Sequence, residues 1–575
     1  MSVCKQRKTD GVCRSLLLCL CLLVMVAPVR AADTPPANAV ASAHPLATRA
    51  GITILAQGGN AFDAAVAVTA ALAVVQPMSS GLGGGGFWLL HRAADGKEIM
   101  VDGRERAPGA ARRDMYLNSR GEVDKGKSLN GPLAAGIPGV PAGIVYLAAN
   151  YGRLPLKQSL APAIRYAREG FHVTPRYQHM VSVRFDLLKQ YPSSTAQFLQ
   201  DGHIPQLGFQ VVQPDLARLL EHIAAEGNKA YYAGETARRL VHGVRSAGGI
   251  WSLQDLAGYH VVERAPTVTE YRGIRVVSAS PPSSGGIVIG EALKILEHFD
   301  LDSMDDVKRK HYVIEAMRRA YRDRAVFLGD PDYVHIPEHR LFNPDYIDGL
   351  AISIKPDRAT PSSELGDTPQ PHQSGNTTTH FSIIDTEGNW VAATLSVNLP
   401  FGSGFVPPGT GVVLNDEMDD FAVKPNRPNA YGLVGSDANA VAPGKRPLSS
   451  MSPTFLETPD RVGLLGTPGG SRIISMVLLG ILDFADGHGP QSWVAKKRYH
   501  HQYLPDVVQY EEGGLNWREQ QGLNAMGYQL REIDRNYGDM QAVLWDKKNH
   551  RVSAASDPRG EGVATVVPVA TTTQQ

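Results

Sequence analysis

The sequence predicts an α+β protein, because helical patterns fill its first part and strand patterns appear in its second. The chain has 575 residues, more than a single hydrophobic core usually supports, so we expect two lobes or one large layered domain. Apolar residues make up 43% of the chain and charged residues 20%. These values are ordinary for a folded soluble protein.

Helical periodicity dominates the chain up to about residue 330. It is clearest over residues 47–75, where the polar and glycine-rich residues 57–60 indicate that one helix ends and another begins. A long apolar helix is also predicted over residues 473–484. The other predicted helices span residues 143–150, 156–169, 215–226, 236–246, 285–298 and 309–328.

Strand patterns begin just after residue 378. Residues 379–385 and 390–397 are rich in β-forming side chains, and residues 386–389 between them have the composition of a turn, so a hairpin is predicted. Residues 462–465 and 542–545 are further strand candidates. We find no internal repeat of the length that solenoid folds require.

The first thirty residues form a segment of a different kind. A basic start that includes Arg7 and Lys8 precedes the apolar run of residues 16–26, and residues 29–31 offer a signal peptidase small side chains. We therefore predict a signal peptide over residues 1–31 and a periplasmic or secreted protein. A permanent membrane anchor is the alternative, but the apolar run is short for a bilayer.

The cysteines are confined to the predicted signal peptide. They are Cys4, Cys13, Cys19 and Cys21. The mature chain would therefore have no disulfide, no thiol nucleophile and no cysteine-ligated metal. An exported chain of this size without disulfides is more typical of a bacterial periplasm than of a eukaryotic secretory route.

The charge balance and the context of two apparent motifs argue against several classes of partner. Basic and acidic side chains number 57 each, so no global field attracts nucleic acid or an anionic membrane, and a small-molecule partner is expected. Residues 81–86 formally fit a dinucleotide fingerprint but lead into a strand-like segment rather than a helix. His500 and His501 are adjacent on a predicted strand and face opposite ways, so they form no visible metal-ligand set.

A Pro-, Ser- and Asp-rich stretch, residues 356–376, ends abruptly at Thr377, where a strand begins. Its composition predicts a mobile linker. A linker that runs into a threonine-rich strand is the layout expected of an N-terminal-nucleophile hydrolase. There one residue supplies the hydroxyl nucleophile and, through a free α-amine of pKa about 7.7–8, the base. A threonine within a chain has no such amine, so cleavage must come first. The alternative is that three threonines merely suit a strand.

Seven short segments, spread over nearly the whole mature chain, carry the most specific signal. They are GGNAFDAAV (58–66), GLGGGGF (81–87), DGRERAP (102–108), TTHFS (378–382), NDEMDDF (415–421), PLSSMSPT (447–454) and PGGSR (468–472). Each is weak alone, but in this order they resemble the γ-glutamyltransferase family of bacterial periplasmic type. The resemblance implies a four-layer αββα sandwich of the N-terminal-nucleophile hydrolase superfamily that needs no cofactor or metal.

The same resemblance implies the catalytic machinery. It assigns the nucleophile to Thr378, freed when the precursor is cut after Thr377 into a large fragment (32–377) and a small one (378–575) that remain together as a heterodimer. Ser396 corresponds to a threonine that hydrogen-bonds the nucleophile in many relatives, and serine keeps the hydroxyl. The alternative for Ser396 is an ordinary strand hydroxyl.

The oxyanion hole is implied at Gly469 and Gly470, which precede a predicted helix. Their alternative is a plain strand-to-helix turn capped by Ser471. Tyr431 resembles the residue of a lid loop that covers the substrate in bacterial transferases, and its presence argues against relatives that lost the lid.

Substrate-binding residues follow from the charges of a γ-glutamyl group, which carries a free carboxylate and a free ammonium. Arg104 resembles the family's carboxylate clamp, for which a guanidinium is well suited. Taken singly, Arg104 would be solvated among charged neighbours, adjacent serines would form turns, and an acidic run would face solvent. The other implied ligands are Ser449 and Ser450 for the carboxylate, and Asn398, Glu417 and Asp420 for the ammonium.

The implied activity is that of an autoprocessed γ-glutamyltransferase and glutathione hydrolase. A γ-glutamyl ester on Thr378 would pass to water or to the amine of an amino acid or dipeptide, with glutathione and other γ-glutamyl compounds as donors. One alternative is a glutaryl- or cephalosporin-type acylase of the same fold, whose substrate has no ammonium to hold. A non-catalytic periplasmic binding protein, which would stay uncut, is the other.

Overall fold

The computed structural model describes residues 34–366, 377–424, 433–535 and 537–568, together with Met1 and Arg427. Residues 2–31 of the predicted signal peptide, residues 367–376 of the predicted linker and the predicted lid residue Tyr431 lie outside these described residues. Within them, no helix combines the length and the apolar character needed to cross a membrane.

Two large antiparallel sheets form the centre of the described chain. The strands are β1 (Ala37–Ser42), β2 (Gly85–Arg92), β3 (Lys97–Gly103), β4 (Phe171–His172), β5 (Gln210–Val211), β6 (Val262–Arg264), β7 (Thr267–Tyr271), β8 (Ile274–Ser278), β9 (Thr379–Ile384), β10 (Trp390–Ser396), β11 (Thr454–Glu457), β12 (Arg461–Gly466), β13 (Tyr499–His500), β14 (Val508–Tyr510), β15 (Leu530–Glu532), β16 (Gln541–Asp546), β17 (Arg551–Ser556) and β18 (Val563–Pro568).

The strand order interleaves the two parts of the chain. One sheet has the order β18-β1-β9-β10-β2-β3-β6, and the other has the order β17-β16-β12-β11-β8-β7. Strand β1, from the start of the described chain, therefore lies between β18 and β9, which both follow residue 377. The small sheets β13-β14-β15 and β4-β5 lie outside this arrangement.

α-Helices make up much of the rest of the described chain. They are α1 (Pro45–Ala56), α2 (Ala61–Val75), α3 (Lys125–Leu129), α4 (Val140–Asn150), α5 (Leu156–Glu169), α6 (Pro175–Lys189), α7 (Pro192–Phe198), α8 (Pro214–Glu226), α9 (Lys229–Tyr232), α10 (Gly234–Ser246), α11 (Leu253–Ala257), α12 (Gly285–Leu296), α13 (Asp306–Phe327), α14 (Glu338–Leu341), α15 (Pro344–Ile352), α16 (Arg472–Ala485), α17 (Pro490–Ala495) and α18 (Trp517–Ala525).

Alternating side chains of β9 show how the layers stack. Phe381 and Ile383 join a core shared with α1, α2, α4 and α5. On the opposite face, Ser382 Oγ donates to the Gln541 carbonyl of the second sheet at 3.1 Å. The outer face of that second sheet shares its core with α12, α13 and α16. The αββα sandwich is therefore confirmed, since each sheet buries one face on the other and one on helices.

The predicted helices and the hairpin are present with small shifts of their ends. Residues 47–75 form α1 and α2, and Asn60 begins α2 through a capping box with Asp63. Strands β9 and β10 pair antiparallel, with Thr394 opposite His380. Their turn is held by Asp385, whose carboxylate accepts the N–H groups of residues 387 and 389 at 2.9 Å each. Local side-chain hydrogen bonds of this kind are predictable from the turn residues in the sequence.

The first part of the predicted linker is anchored rather than loose. Thr360 and Ser362 are buried. Ser362 Oγ donates to the Tyr503 carbonyl at 2.6 Å and accepts from Arg318 Nη1 at 2.6 Å. The prediction of a mobile linker over residues 356–376 is therefore wrong for this part, because these polar side chains are buried and held by hydrogen bonds.

Candidate active site

The hairpin brings the predicted nucleophile and its predicted partner together. Thr378, just before β9, is 3% exposed, and its Oγ1 donates to the carbonyl oxygen of Thr377 at 2.7 Å. Ser396, at the end of β10, has its Oγ 3.3 Å from Thr378 Oγ1. Ser396 Oγ also accepts the N–H of Asn398 at 2.8 Å, so its own proton is left to be donated. Because the Thr378 proton goes to Thr377, Ser396 is the donor when these two hydroxyls bond.

The glycine run at residues 81–86 lets neighbouring backbone approach this hairpin closely. A Cβ on Gly84 would lie 2.1 Å from the Ser396 carbonyl oxygen, and one on Gly83 would lie 2.0 Å from the Val413 carbonyl oxygen. The run continues into β2, whose Gly85 pairs with Ser396. The dinucleotide interpretation was therefore rightly rejected, because a strand rather than a helix follows the glycines.

The loop after β10 holds Asn398 in the left-handed region, with φ of +75°. Its side-chain amide donates to the Asp416 carbonyl at 2.9 Å, and Asp416 Oδ1 accepts the N–H of Leu399 at 3.0 Å. Thr377 Oγ1 donates to the Asn398 carbonyl at 3.0 Å. A non-glycine residue keeps such a conformation only when its surroundings fix it. This loop is therefore rigidly tied to the residue before Thr378.

Arg104 is buried in the candidate site and bonded to acids from a distant part of the chain. It is 1% exposed. Its Nη1 lies 2.6 Å from Glu417 and its Nη2 lies 2.5 Å from Asp420, while Nε donates to the Pro447 carbonyl at 3.0 Å. The interpretation of Arg104 as a solvated residue is therefore wrong. The predicted carboxylate clamp and two predicted ammonium ligands are thus ion-paired with one another in this structure.

Acidic side chains outnumber the cations around Arg104. Burial raises the pKa of Glu105, Asp416 and Glu417 above their usual values, and Arg104 opposes this shift for Glu105 and Glu417. Glu417 is buried, so the solvent-facing interpretation is wrong for it. A desolvated cluster of acids is an environment that favours a bound cation. Sequence reasoning missed Glu105, since a charged neighbour of Arg104 gives no sign of burial.

The serine pair lies on a loop that is fixed by its own backbone. The Ser449 N–H donates to the Pro282 carbonyl at 2.8 Å, and Ser449 Oγ accepts the N–H of Met451 at 3.1 Å. This second bond is the serine turn that the alternative interpretation expected. Ser450 Oγ accepts from Arg324 Nη2 at 3.2 Å. Arg324 is absent from the sequence-based site, because four arginines between residues 318 and 324 look alike in the sequence.

The predicted oxyanion glycines precede α16 and adopt conformations that favour glycine. Gly469 has φ of +147° and Gly470 has φ of +58°. Ser471 occupies the N-cap position but makes no side-chain cap, since its Oγ donates to Gln502 Oε1 at 2.7 Å. The capping role expected for Ser471 is therefore wrong. The N-terminus of α16 faces the site beside Gly470, and a helix N-terminus favours negative charge.

A small cavity of about 20 Å³ collects these residues. This volume holds roughly one water molecule. Of the predicted site residues that the structure describes, Gly469 and Thr377 do not line the cavity. The lining residues are Arg104, Thr378, Ser396, Asn398, Glu417, Asp420, Leu433, Ser449, Ser450, Met451, Gly470, Ser471 and Ile473.

Candidate metal ligands lie elsewhere. Asp483, Asp486 and His488, at the C-terminal end of α16, bring ligand atoms within 4.8 Å of one another. Lys496 Nζ already lies 2.5 Å from Asp483, and Arg309 Nη2 lies 2.7 Å from Asp486. These cations offset the carboxylates and also suit the negative end of a helix. The group is therefore explained by its ion pairs.

The adjacent histidines have separate partners. His500 bonds to Ser475 Oγ and Gln502 Oε1 at 2.8 Å each, whereas His501 Nε2 lies 3.2 Å from Asp506. Burial lowers the pKa of both imidazoles. They act as buried neutral hydrogen-bonding groups.

Comparisons with known proteins agree over nearly the whole chain. A family model described as Gamma-glutamyltranspeptidase matches residues 47–567. A protein of Pseudomonas sp. (strain A14) named glutathione hydrolase proenzyme is 43% identical over 520 residues, covering 89% of this chain and 90% of its own. A protein of Escherichia coli (strain K12) with the same name is 43% identical over 537 residues, covering 92% and 91%. A solved cephalosporin acylase from Bacillus halodurans has a TM-score of 0.81 at 29% identity, covering 92% and 96%.

Proposed function

Because this chain belongs to the gamma-glutamyltranspeptidase family, we propose that it is an enzyme that cuts its own precursor and then hydrolyses or transfers γ-glutamyl groups, with glutathione as a donor. One observation carries the proposal. The Thr378 hydroxyl bonds to the Thr377 carbonyl in a cavity that also presents a buried guanidinium and buried carboxylates. This combination matches a nucleophile and a zwitterionic acyl group.

The first step is cleavage of the Thr377–Thr378 peptide bond. Thr378 Oγ1 attacks the Thr377 carbonyl carbon, the C–N bond breaks, and the acyl group moves from nitrogen to oxygen as an ester. Water then hydrolyses the ester, which leaves a carboxylate on Thr377 and a free α-amine on Thr378. The 2.7 Å bond from Oγ1 to the Thr377 oxygen supports this step, since it holds the two groups in contact.

The second step uses the new amine as a base. It takes the proton of Oγ1 as that oxygen attacks the γ-carbonyl of the donor, and gives the proton to the leaving amine. Backbone N–H groups at Gly469 and Gly470 stabilise the oxyanion at the start of α16. The γ-glutamyl ester then passes to water, giving glutamate, or to an acceptor amine, giving a new γ-glutamyl amide.

The charges of the cavity match a donor that is zwitterionic beside its reacting end. Arg104, Ser449 and Ser450 bind the α-carboxylate. The α-ammonium takes the place of the guanidinium beside Asn398, Glu417 and Asp420. Each charge on the substrate thus replaces one half of an existing ion pair, and neither is left buried without a partner.

The cut chain remains a heterodimer of fragments 32–377 and 378–575. In the seven-stranded sheet β1 of the large fragment pairs with β9 and β18 of the small one, and β2 pairs with β10; in the other sheet β8 pairs with β11 across the fragments. Separation would break backbone pairs within both sheets, which supports lasting association. The basic and apolar start of the sequence supports export to the periplasm or the medium, with a mature fragment that begins near Ala32.

Intact mass and N-terminal sequencing of the purified protein test the cleavage. We expect a fragment that begins Thr-Thr-His-Phe in the wild type and a single uncut chain in Thr378→Ala. The matched control is Thr379→Ala, because that hydroxyl bonds to Gln76 rather than to Thr377, and its chain should still be cut. A wild-type chain that stays uncut on long incubation would contradict the mechanism and favour a binding protein. Release of p-nitroaniline from γ-glutamyl-p-nitroanilide then tests the activity.

A further inference from the structure

The buried guanidinium of Arg324 bonds to serines of the candidate site. Arg324 lies on α13 and is 4% exposed. Its Nε donates to Ser284 Oγ at 2.9 Å and its Nη2 donates to Ser450 Oγ at 3.2 Å. Within the described part of the chain, no carboxylate forms an ion pair with it. Burial lowers its pKa to about 10. The Asp420 carboxylate opposes this shift without forming an ion pair with Arg324.

The bond from Arg324 fixes the direction in which the Ser450 hydroxyl points its proton. A guanidinium can only donate hydrogen bonds, so Ser450 Oγ must accept the one from Nη2. The hydroxyl proton of Ser450 is then available to a different acceptor. Since Ser450 lines the cavity together with Thr378 and Arg104, an acceptor bound there lies within its reach.

Arg324 also acts on Ser449, through Ser284. Ser284 Oγ accepts from Arg324 and donates to the Ser449 carbonyl at 2.7 Å, and the Ser284 N–H donates to the same carbonyl at 2.8 Å. Ser449 Oγ accepts the N–H of Met451, so its proton is likewise left for another acceptor. Both serines are therefore held as donors toward the cavity.

We propose that Arg324 is a positioning residue for the α-carboxylate of the γ-glutamyl donor: it holds the Ser450 hydroxyl as a donor and, through Ser284, fixes the Ser449 backbone that carries the second hydroxyl. The inference rests on the proposed function, because it takes a γ-glutamyl group as the ligand.

Two donors that differ only in the α-carboxylate test this role. One is γ-glutamyl-p-nitroanilide, and the other is 4-aminobutyryl-p-nitroanilide, which keeps the ammonium and lacks the carboxylate. In autoprocessed Arg324→Met we expect kcat/KM for the γ-glutamyl donor to fall about tenfold or more, as for the loss of a hydrogen bond to a charged group, and to fall mainly through KM. The value for the 4-aminobutyryl donor should stay unchanged. Arg324→Lys keeps the charge but not the two-point geometry, and should recover part of the loss.

The matched control is Arg322→Met on the same helix, since Arg322 bonds to Leu365 and Asp323 instead. Arg322→Met should leave the ratio of kcat/KM for the two donors as in the wild type. Equal losses for both donors in Arg324→Met would show a merely structural role and overturn the inference. If Arg324→Met does not accumulate as folded protein, the ratio of kcat/KM for the two donors is measured in Arg324→Lys and Ser284→Ala instead. A ratio unchanged from wild type in both variants would overturn the inference. A wild type that is cut but inactive on the γ-glutamyl donor would overturn the proposed function first, before any variant is compared.

Discussion

Asp420→Asn should lower the preference of the enzyme for γ-glutamyl over glutaryl donors, with less effect on the chemical step that both donors share. In the structure Asp420 lies 2.5 Å from Arg104 Nη2 and Glu417 lies 2.6 Å from Nη1. A γ-glutamyl group exchanges both halves of this arrangement, since its carboxylate takes the arginine and its ammonium takes the acids. A glutaryl group has no ammonium. It would bind Arg104 and leave the acids without their cation, which is unfavourable in a buried site.

The structure sets the size of the expected effect. Asp420→Asn removes one charge-assisted contact to the ammonium, and hydrogen bonds to charged groups contribute about 1.5–3 kcal/mol. The kcat/KM for γ-glutamyl-p-nitroanilide should therefore fall about tenfold to a hundredfold. The kcat/KM for glutaryl-p-nitroanilide should hold steady or rise, because one acid no longer competes for Arg104. The ratio of the two values is the quantity to measure, by p-nitroaniline absorbance on fully cut protein.

The neighbouring Asp419→Asn is the control for this comparison. Asp419 lies on the same short segment, but its Oδ1 accepts from Ser128 Oγ at 2.8 Å. It should keep the ratio of the wild type. Equal losses on both donors in Asp420→Asn would refute the exchange of ion pairs described above. A wild type that prefers the glutaryl donor would favour the acylase alternative.

Two further predictions concern the hairpin. Ser396→Ala should slow cleavage and turnover about two- to tenfold, as for the loss of one neutral hydrogen bond to Thr378. Ser396→Thr keeps the hydroxyl and should stay near wild type. Gel densitometry measures the rate of cleavage and p-nitroaniline release measures turnover; equal rates in Ser396→Ala and wild type would contradict this prediction. Burial lowers the pKa of His380 to about 3, against about 6.5 when unfolded, so within that window the unfolded chain binds a proton that the folded chain excludes. The free energy of unfolding should fall by up to about 1.4 kcal/mol per pH unit as the pH is lowered through the window. Urea titrations of uncut Thr378→Ala at pH 7 and pH 5 should show a steeper loss than the same chain with His380→Gln, and identical slopes would contradict the assignment.

Elements with local signals were predictable from the sequence. Helix α2 is apolar over its whole length and begins at Asn60 with a capping box, and the β9–β10 hairpin encloses a short turn ordered by Asp385. Helix α6 was missed, because few of its residues are buried and its pattern is largely polar. Strand β1 was also missed, since its partners β9 and β18 lie hundreds of residues away. Pairing of that range leaves no local pattern.

The candidate site was predictable only where motifs carried it. Thr378, Arg104 and Asp420 came from ordered motifs, and the structure brings them to one cavity. No pattern indicated that Arg104 would be paired with Glu417 and Asp420, because the segments are some 310 residues apart. Arg324 lies outside every motif that the sequence offered. Its place in the site depends on which face of α13 meets the serine loop, and that is set by tertiary packing.

The interleaved strand order has a consequence for the molecularity of folding. While the peptide bond before Thr378 is intact, β1 finds β9 and β18 within its own chain, and folding is a first-order process. Once the bond is cut, regaining the fold after full unfolding requires two separate polypeptides to meet, so its rate depends on concentration. Each piece alone would expose sheet edges that invite other pairings. The cleaved enzyme that we propose would therefore form once, from one chain, and its persistence would depend on slow unfolding.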